Sequence, residues 1–150
     1  MSGDDTVEGR IRAAQIVVAA LAMGVLTFTG VVVGLVMAGT IGVPAPALAS
    51  LPLYGAGGAA LLLALAPVVR RQILGAGAPK DRDTVIGRWF TATIASMALR
   101  EGAGIVGIAL SLVAGSATWA VVFGVASVGA MVLSWPRGDD LRERLRRLPG

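Results

Sequence analysis

Two adjacent ionisable residues, Arg100 and Glu101, are the groups in this sequence most able to do chemistry. They lie in a long apolar segment, about three helical turns after Trp89, which predicts a place near the middle of the bilayer. An ionised side chain at that depth costs about 2.5–3.5 kcal/mol on insertion scales, so such residues usually mark a site with a partner. Two interpretations stay open, a functional ionisable site or a polar cluster that holds helices together.

Helical geometry separates the two side chains. Arg100 shares its predicted face with small and polar residues, namely Ser96, Ala103, Gly107 and Ser111. Glu101 lies in a stripe of bulky apolar residues, namely Ile94, Met97, Ile105, Ile108 and Leu112. Neighbouring side chains on a helix diverge, so an Arg100–Glu101 ion pair is not ensured. Thr27 and Thr29, in an earlier apolar segment, are predicted polar partners at a similar depth.

The sequence contains no cysteine and no histidine. This composition excludes disulfides, thiolate nucleophiles, Cys/His metal sites and imidazole bases. The acidic pair Asp81 and Asp83, next to Lys80 and Arg82, favours a solvated loop over a metal site. We therefore predict no catalytic residue, no metal site and no cofactor, and we expect that the chain is not an enzyme.

Four apolar segments must position these residues. Charged residues make up 15% of the 150 residues, and none lies between Ile41 and Val69 or between Gly102 and Pro136. A helix needs about 20 apolar residues to cross roughly 30 Å of hydrocarbon. The predicted spans are residues 11–38, 48–74, 89–113 and 118–135. The sequence thus predicts an all-α integral membrane four-helix bundle, and similar segment ends allow an arrangement as two tandem helical hairpins.

The basic residues outside the spans predict the orientation of the chain. They lie in the N-terminal arm, in the loop between the second and third spans, and in the C-terminal tail, whereas the other two loops, 39–47 and 114–116, carry no charge. The positive-inside rule then places both termini in the cytoplasm. We expect a bacterial inner (plasma) membrane protein, with Trp89 and Trp135 as anchors at the cytoplasmic interface.

Residues 136–150 are predicted to form a cytoplasmic basic amphipathic tail. A short helix is expected over 139–148, capped by Asp139 or Asp140, with Leu141, Leu145 and Leu148 on one face. The tail arginines are predicted to contact anionic lipid, namely Arg142, Arg144, Arg146 and Arg147. A protein partner for this tail is the alternative. Contact with the lipid bilayer accounts for the basic charge of the chain, so we predict no nucleic-acid partner.

Two groups of small residues predict close helix packing. Gly30 and Gly34 form a GxxxG motif in the first span, and Ala103, Gly107 and Ser111 form a ridge in the third. Such surfaces pack either within one chain or between copies. The second case would give a homo-oligomer or a part in a larger membrane complex.

Residues 98–108, Ala-Leu-Arg-Glu-Gly-Ala-Gly-Ile-Val-Gly-Ile, resemble the carboxylate helix of the proteolipid (c) subunits of rotary ATP synthases. In that family Ala-Leu-x-Glu-x-x-x-Ile-x-Gly surrounds the ion-carrying carboxylate, so the resemblance implies this role for Glu101. The chain departs from the family by having further helices on both sides of the similar hairpin. It also places Arg100 directly before the carboxylate, where a fixed cation opposes repeated protonation.

Two functions follow from these observations. The favoured one is a small polytopic integral membrane protein of non-catalytic type, structural or assembly and partner-binding, with a buried Arg100/Glu101 polar site. It predicts that these two residues are paired with each other or across helices. The alternative is a proteolipid-like proton or Na⁺ coupling subunit with Glu101 as the ion-carrying carboxylate.

Overall fold

The computed structural model describes residues 3–41, 50–77 and 81–148, with side chains from residue 7 onward. Within these ranges every regular element is an α-helix: α1 Gly3–Met37, α2 Leu51–Gly75, α3 Arg82–Ala114, α4 Thr118–Leu133 and α5 Gly138–Arg146. The all-helical prediction is confirmed for this part of the chain. Most of the loop expected at 39–47, the first two residues of the second predicted span, Lys80 and the last two residues of the tail lie outside the described residues.

Three of these helices, α1, α2 and α3, are long and apolar enough to cross a membrane. The fourth predicted span is shorter than expected, because α4 ends at Leu133 and has 16 residues. At about 1.5 Å per residue it is roughly 24 Å long, less than the hydrocarbon thickness. A fourth crossing is counted only if α4 and α5, which meet at a bend of 42°, are taken together.

Helix α3 is the centre of the fold and packs against α1, α2 and α4. It runs antiparallel to α2, because Gly55 faces Leu110 while Leu62 lies beside Gly102. It also runs antiparallel to α4, since Ser127 reaches the backbone of Arg100.

Helix α1 packs along α3 and α4 on the side of α3 away from α2. It runs parallel to α3, because Val7 clusters with Val85 near one end and Val25 contacts Gly104 further along. Among the described residues α1 and α2 share no extensive contact, so the first two helices do not pack as a hairpin. The alternating directions bring the N-terminal turns of α1 and α3, the C-terminal end of α2 and the helix α5 to the same end of the molecule, here called the charged end.

An apolar cluster fills the charged end. Helices α1 and α3 have 35 and 33 residues, so each is about 50 Å long. This length exceeds the hydrocarbon thickness of a bilayer by roughly 20 Å. The cluster joins their N-terminal turns to α5 and consists of Val7, Ile11, Ala14, Val85, Ile86, Trp89 and Leu141. Trp89 is fully buried here, so its prediction as an interface anchor is wrong. The indole was expected at the surface because the sequence does not indicate that α5 covers it.

Helix α5 differs from its prediction in its cap and in its packing. Its N-cap position is Arg137 with no side-chain cap, while Asp139 and Asp140 lie in the first turn. There the two carboxylates complement the helix dipole instead of capping it. Leu141 is completely buried, and the apolar face that was expected on the membrane surface packs on α1 and α3.

Asp81 fixes the beginning of α3. Its carboxylate accepts hydrogen bonds from the Thr84 backbone N–H at 2.7 Å and from the Thr84 hydroxyl at 2.9 Å. These bonds stabilise the ionised form and lower the pKa of Asp81 below its usual value. Asp81 therefore belongs to a helix cap, which accounts for its carboxylate without a metal ion.

Replacing Asp81 by alanine is expected to raise the hydrogen-exchange rate of the Thr84 amide several-fold, because the cap bond is lost. Since the folded-state pKa of Asp81 is the lower one, its contribution is complete above the unfolded pKa and disappears as the pH falls through the folded pKa. Exchange measured against pH checks this, with Asp83→Ala as the control that keeps the cap. Equal exchange in the two variants would contradict the capping role.

Candidate functional site

Arg100 is buried, with 6% of its surface exposed. Its Nη1 donates to Ser96 Oγ at 3.3 Å and to the Ser96 carbonyl at 3.4 Å, and it lies 3.7 Å from Met97 Sδ. The side chain therefore points back one turn toward the N-terminus of α3, as long helical side chains do. This direction carries the guanidinium toward the charged end of the molecule.

Arg100 lines a cavity of about 510 Å³ between the end of α2, α3 and the α4–α5 junction. Three further arginines line it, namely Arg70, Arg71 and Arg144, beside apolar atoms of Pro67 and Leu74. This cavity is called the arginine pocket below. Arg70 and Arg144 share one carboxylate, Asp140, each at 3.0 Å. The sequence alone does not indicate that these four arginines lie together.

Glu101 lies in a separate apolar groove of about 280 Å³ between α1 and α3. Its neighbours there are Gly24, Val25, Phe28, Ile105 and Ile108. The carboxyl is half-buried. Among the described residues it has no hydrogen bond and no ion pair.

Arg100 and Glu101 consequently do not form one site in the described part of the chain. Their side chains leave α3 toward different neighbours, the arginine toward α2 and the α4–α5 junction and the glutamate toward α1. The favoured hypothesis predicted that these two side chains pair with each other or with side chains of other helices. No such pair is formed within residues 7–41, 50–77 and 81–148. The predicted divergence of neighbouring side chains accounts for this separation.

The two threonines predicted as partners lie elsewhere. Thr27 is exposed, and Thr29 packs against Gly124 of α4, where glycine leaves room for its hydroxyl. The Thr29 hydroxyl is buried without a hydrogen-bond partner. Neither threonine bonds to Arg100 or lines the groove of Glu101.

The ridge of small residues on α3 forms the interface with α4. Ala103, Gly107 and Ser111 are all buried. Ser111 Oγ accepts a hydrogen bond from the Ala120 backbone N–H at 2.6 Å. Ser127 Oγ donates to the Arg100 carbonyl, also at 2.6 Å. The ridge thus carries both close backbone approach and hydrogen bonds between the helices.

The GxxxG motif of α1 is used differently. Gly30 and Gly34 are exposed, and a Cβ added at either position would meet nothing within 4 Å. Around them α1 presents apolar side chains such as Phe28 and Val31 to the surroundings. This motif therefore makes no close helix contact within the described chain.

The tail arginines form ion pairs with nearby acids. Arg142 pairs with Glu8 of α1 and with Asp139, and Arg144 pairs with Asp140. Arg146 and Arg147 both pair with Glu143, whose pKa is lowered chiefly by its hydrogen bond with Arg147. Glu8 likewise raises the pKa of Arg142. These ion pairs are exposed or half-exposed, so each contributes little to the free energy of unfolding. Dissolved salt weakens their attraction further.

Ser127 was missed by sequence analysis although a signal was present. It lies on α4 in register with Ala120, Gly124 and Met131, which form one buried face of that helix. A small polar residue within a stripe of helical period in an apolar span indicates an interhelical hydrogen bond. No comparable signal exists for the arginine pocket, because its members come from three separate parts of the chain.

Among the described residues, no group of three or more acidic side chains is placed to hold a metal ion. Comparison of the chain with family models, with curated proteins and with solved structures gives no match. The function is therefore inferred from the chain's own residues.

Proposed function

We propose that this chain is a small polytopic integral membrane protein of non-catalytic type, with a structural or assembly role. The observation that carries the proposal is the use of polar groups inside the apolar helices. Ser127 bonds to the Arg100 carbonyl and Ser111 to the Ala120 N–H, so these side chains join α3 to α4. Polar groups in hydrocarbon are costly unless bonded, and bonds of this kind hold membrane helices in one arrangement.

The proposed location is the inner membrane of a bacterium with both termini in the cytoplasm. The charged end supports this orientation, because it gathers the N-terminal turns of α1, the Arg70–Arg71 pair and the whole of α5. Basic residues concentrate on the cytoplasmic side of membrane proteins.

The assembly part of the proposal concerns α1. Its Gly30 and Gly34 backbone is open to a neighbouring helix, whereas the small residues of α3 are already covered. We expect contacts with a second copy or a larger membrane complex to involve this face. Gly34→Ile is then expected to weaken association, measured by energy transfer between labelled chains in bilayers, without lowering the stability of the single chain.

The second candidate function is proton or Na⁺ coupling through Glu101. It is favoured by one specific observation, a carboxyl in an apolar groove without a cation partner among the described residues. The resemblance of residues 98–108 to the proteolipid helix points to the same residue.

Ion flux into liposomes separates the two candidates. The purified native chain, Glu101→Gln, and the matched control Glu143→Gln are reconstituted under a pH gradient with a membrane potential, and flux is followed with a pH-sensitive dye and a Na⁺-sensitive dye. The structural proposal expects all three to remain at the rate of empty vesicles. Labelling by a lipid-soluble carbodiimide reports separately whether Glu101 is protonated and accessible.

A native flux that Glu101→Gln abolishes and Glu143→Gln preserves would overturn the structural proposal in favour of the second candidate. A flux that survives in Glu101→Gln would also overturn it, and would assign transport to another part of the chain. Circular dichroism of each variant establishes that the helices are formed, so a lost signal is not mistaken for unfolding.

A further inference from the structure

The arginine pocket has an excess of positive charge. Four arginines line it, namely Arg70, Arg71, Arg100 and Arg144, and Asp140 is the one carboxylate that pairs with any of them among the described residues. Arg71 has no hydrogen bond or ion pair there, and Arg70 is close enough to repel Arg100 electrostatically. Arg100 is buried without a carboxylate partner, which is unfavourable for a charged group, so an anion in this cavity would relieve the repulsion.

Arg100 forms the inner wall of the pocket. More than nine-tenths of it is buried, and its bonds to Ser96, at 3.3 and 3.4 Å, are longer than typical bonds of a charged donor. Its N–H groups are therefore poorly satisfied by the protein. A planar guanidinium presents paired N–H donors whose geometry matches phosphate oxygens.

Besides the arginines, the pocket is lined by Gly75, Ser134 and two apolar residues of α2, and the apolar part continues onto the outside of α2. Pro67 and Leu74 line the cavity, and Val68, next to Pro67, is exposed on the surface of this apolar helix. A ligand with a phosphate group and hydrocarbon chains fits both parts, because the chains can lie along α2 while the phosphate meets the arginines. Basic pockets between membrane helices at the cytoplasmic side bind acidic lipid headgroups.

We propose that the arginine pocket binds the phosphate group of an anionic phospholipid. Arg71 and Arg100 supply the donors that lack a carboxylate, and Arg70 and Arg144 add to the positive potential. The volume of about 510 Å³ accommodates a glycerol phosphate headgroup. This proposal stands apart from the structural or ion-coupling role. It also places the lipid contact where α2, α3 and α5 meet rather than along the rest of the tail, in which Arg142, Arg146 and Arg147 pair with acids.

Lipid retention measured by native mass spectrometry tests the pocket. The full chain is released from nanodiscs of phosphatidylcholine containing phosphatidylglycerol, and retained lipids are counted for the native protein, Arg71→Gln and Arg70→Gln/Arg71→Gln. We expect the native chain to prefer phosphatidylglycerol and the double variant to lose about tenfold in affinity, as for a charge-assisted hydrogen bond. Arg71→Gln should fold normally, because Arg71 is exposed and has no partner among the described residues.

Arg147→Gln is the matched control, since it removes one tail charge outside the pocket. If the retention of phosphatidylglycerol falls equally in Arg147→Gln and Arg71→Gln, then it depends only on the total charge of the chain, and the proposal is overturned. Equal retention of the two lipids by the native chain would overturn it as well. Competition by millimolar glycerol phosphate, with loss of bound lipid, would assign the site to a soluble phosphate compound and contradict the lipid assignment.

Discussion

Gly107→Ala is expected to lower the free energy of unfolding by about 1–3 kcal/mol, the usual cost of overpacking a tight interface. A Cβ at Gly107 would lie 2.8 Å from the backbone oxygen of Trp119 and would also clash with the side chain of Phe123. Backbone atoms cannot move aside as a flexible side chain can. The helices α3 and α4 must therefore separate locally, and this separation strains the nearby Ser127–Arg100 and Ser111–Ala120 bonds.

Gly30→Ala is the matched control, because a Cβ there meets nothing within 4 Å. Alanine is the better helix former by about 1 kcal/mol, so this variant is expected to be as stable as the native chain or slightly more stable. Reversible unfolding in mixed micelles, followed by circular dichroism, measures both. Equal losses in the two variants would mean that Gly107 does not face α4 as closely as described.

The contrast between these two glycines also shows that the sequence does not determine which small-residue face is covered by another helix. Both Gly30 and Gly107 occur in small-residue motifs within apolar segments, and helical periodicity predicts for each a face that admits close packing. Which face is covered depends on where the neighbouring helices lie. Helix α3 has neighbours on three sides, whereas α1 keeps an open face because α2 packs on the other side of α3.

The helices themselves could be predicted because long uncharged segments have few alternatives in a membrane. Their lengths were harder to predict from hydropathy. The charged first turns of α1 and α3 belong to the same helices as the apolar parts, and so these helices begin earlier than the spans predicted for them. The end of α4 at Leu133 likewise depends on the bend that leads into α5.

Arg100 and Glu101 were recognised because charges inside an apolar segment are rare. The divergence of their side chains also followed from the helical period. Their surroundings did not, since Arg70 and Arg144 are distant from Arg100 in sequence and meet it through the packing of α2 and α5. A long arginine side chain can reach one turn along its helix, so the depth of its Cα does not give the depth of its charge.

Leu141→Ala is expected to weaken the docking of α5 by about 2–5 kcal/mol, the range for removing a buried leucine side chain. Leu141 is fully buried among residues of α1 and α3, and it is the central apolar contact of a nine-residue helix. Leu145 and Leu148 pack against the same cluster but are only partly buried, and the polar attachments are exposed or half-exposed ion pairs such as Arg142–Glu8 and one hydrogen bond from Gln15 to the Pro136 carbonyl. These are too weak to hold so short a helix alone.

Limited trypsin digestion measures this docking, because α5 contains cleavage sites after Arg142 and Arg144. The native tail should be cut slowly in neutral micelles and the Leu141→Ala tail much faster, while Leu133→Ala, at a leucine that is 86% exposed, should leave cleavage unchanged. Rapid cleavage of the native tail in neutral micelles, slowed only by anionic lipid, would instead support the membrane-surface interpretation of the sequence. The two arrangements differ in what covers Leu141, and α5 is held by protein only if protection persists without acidic lipid.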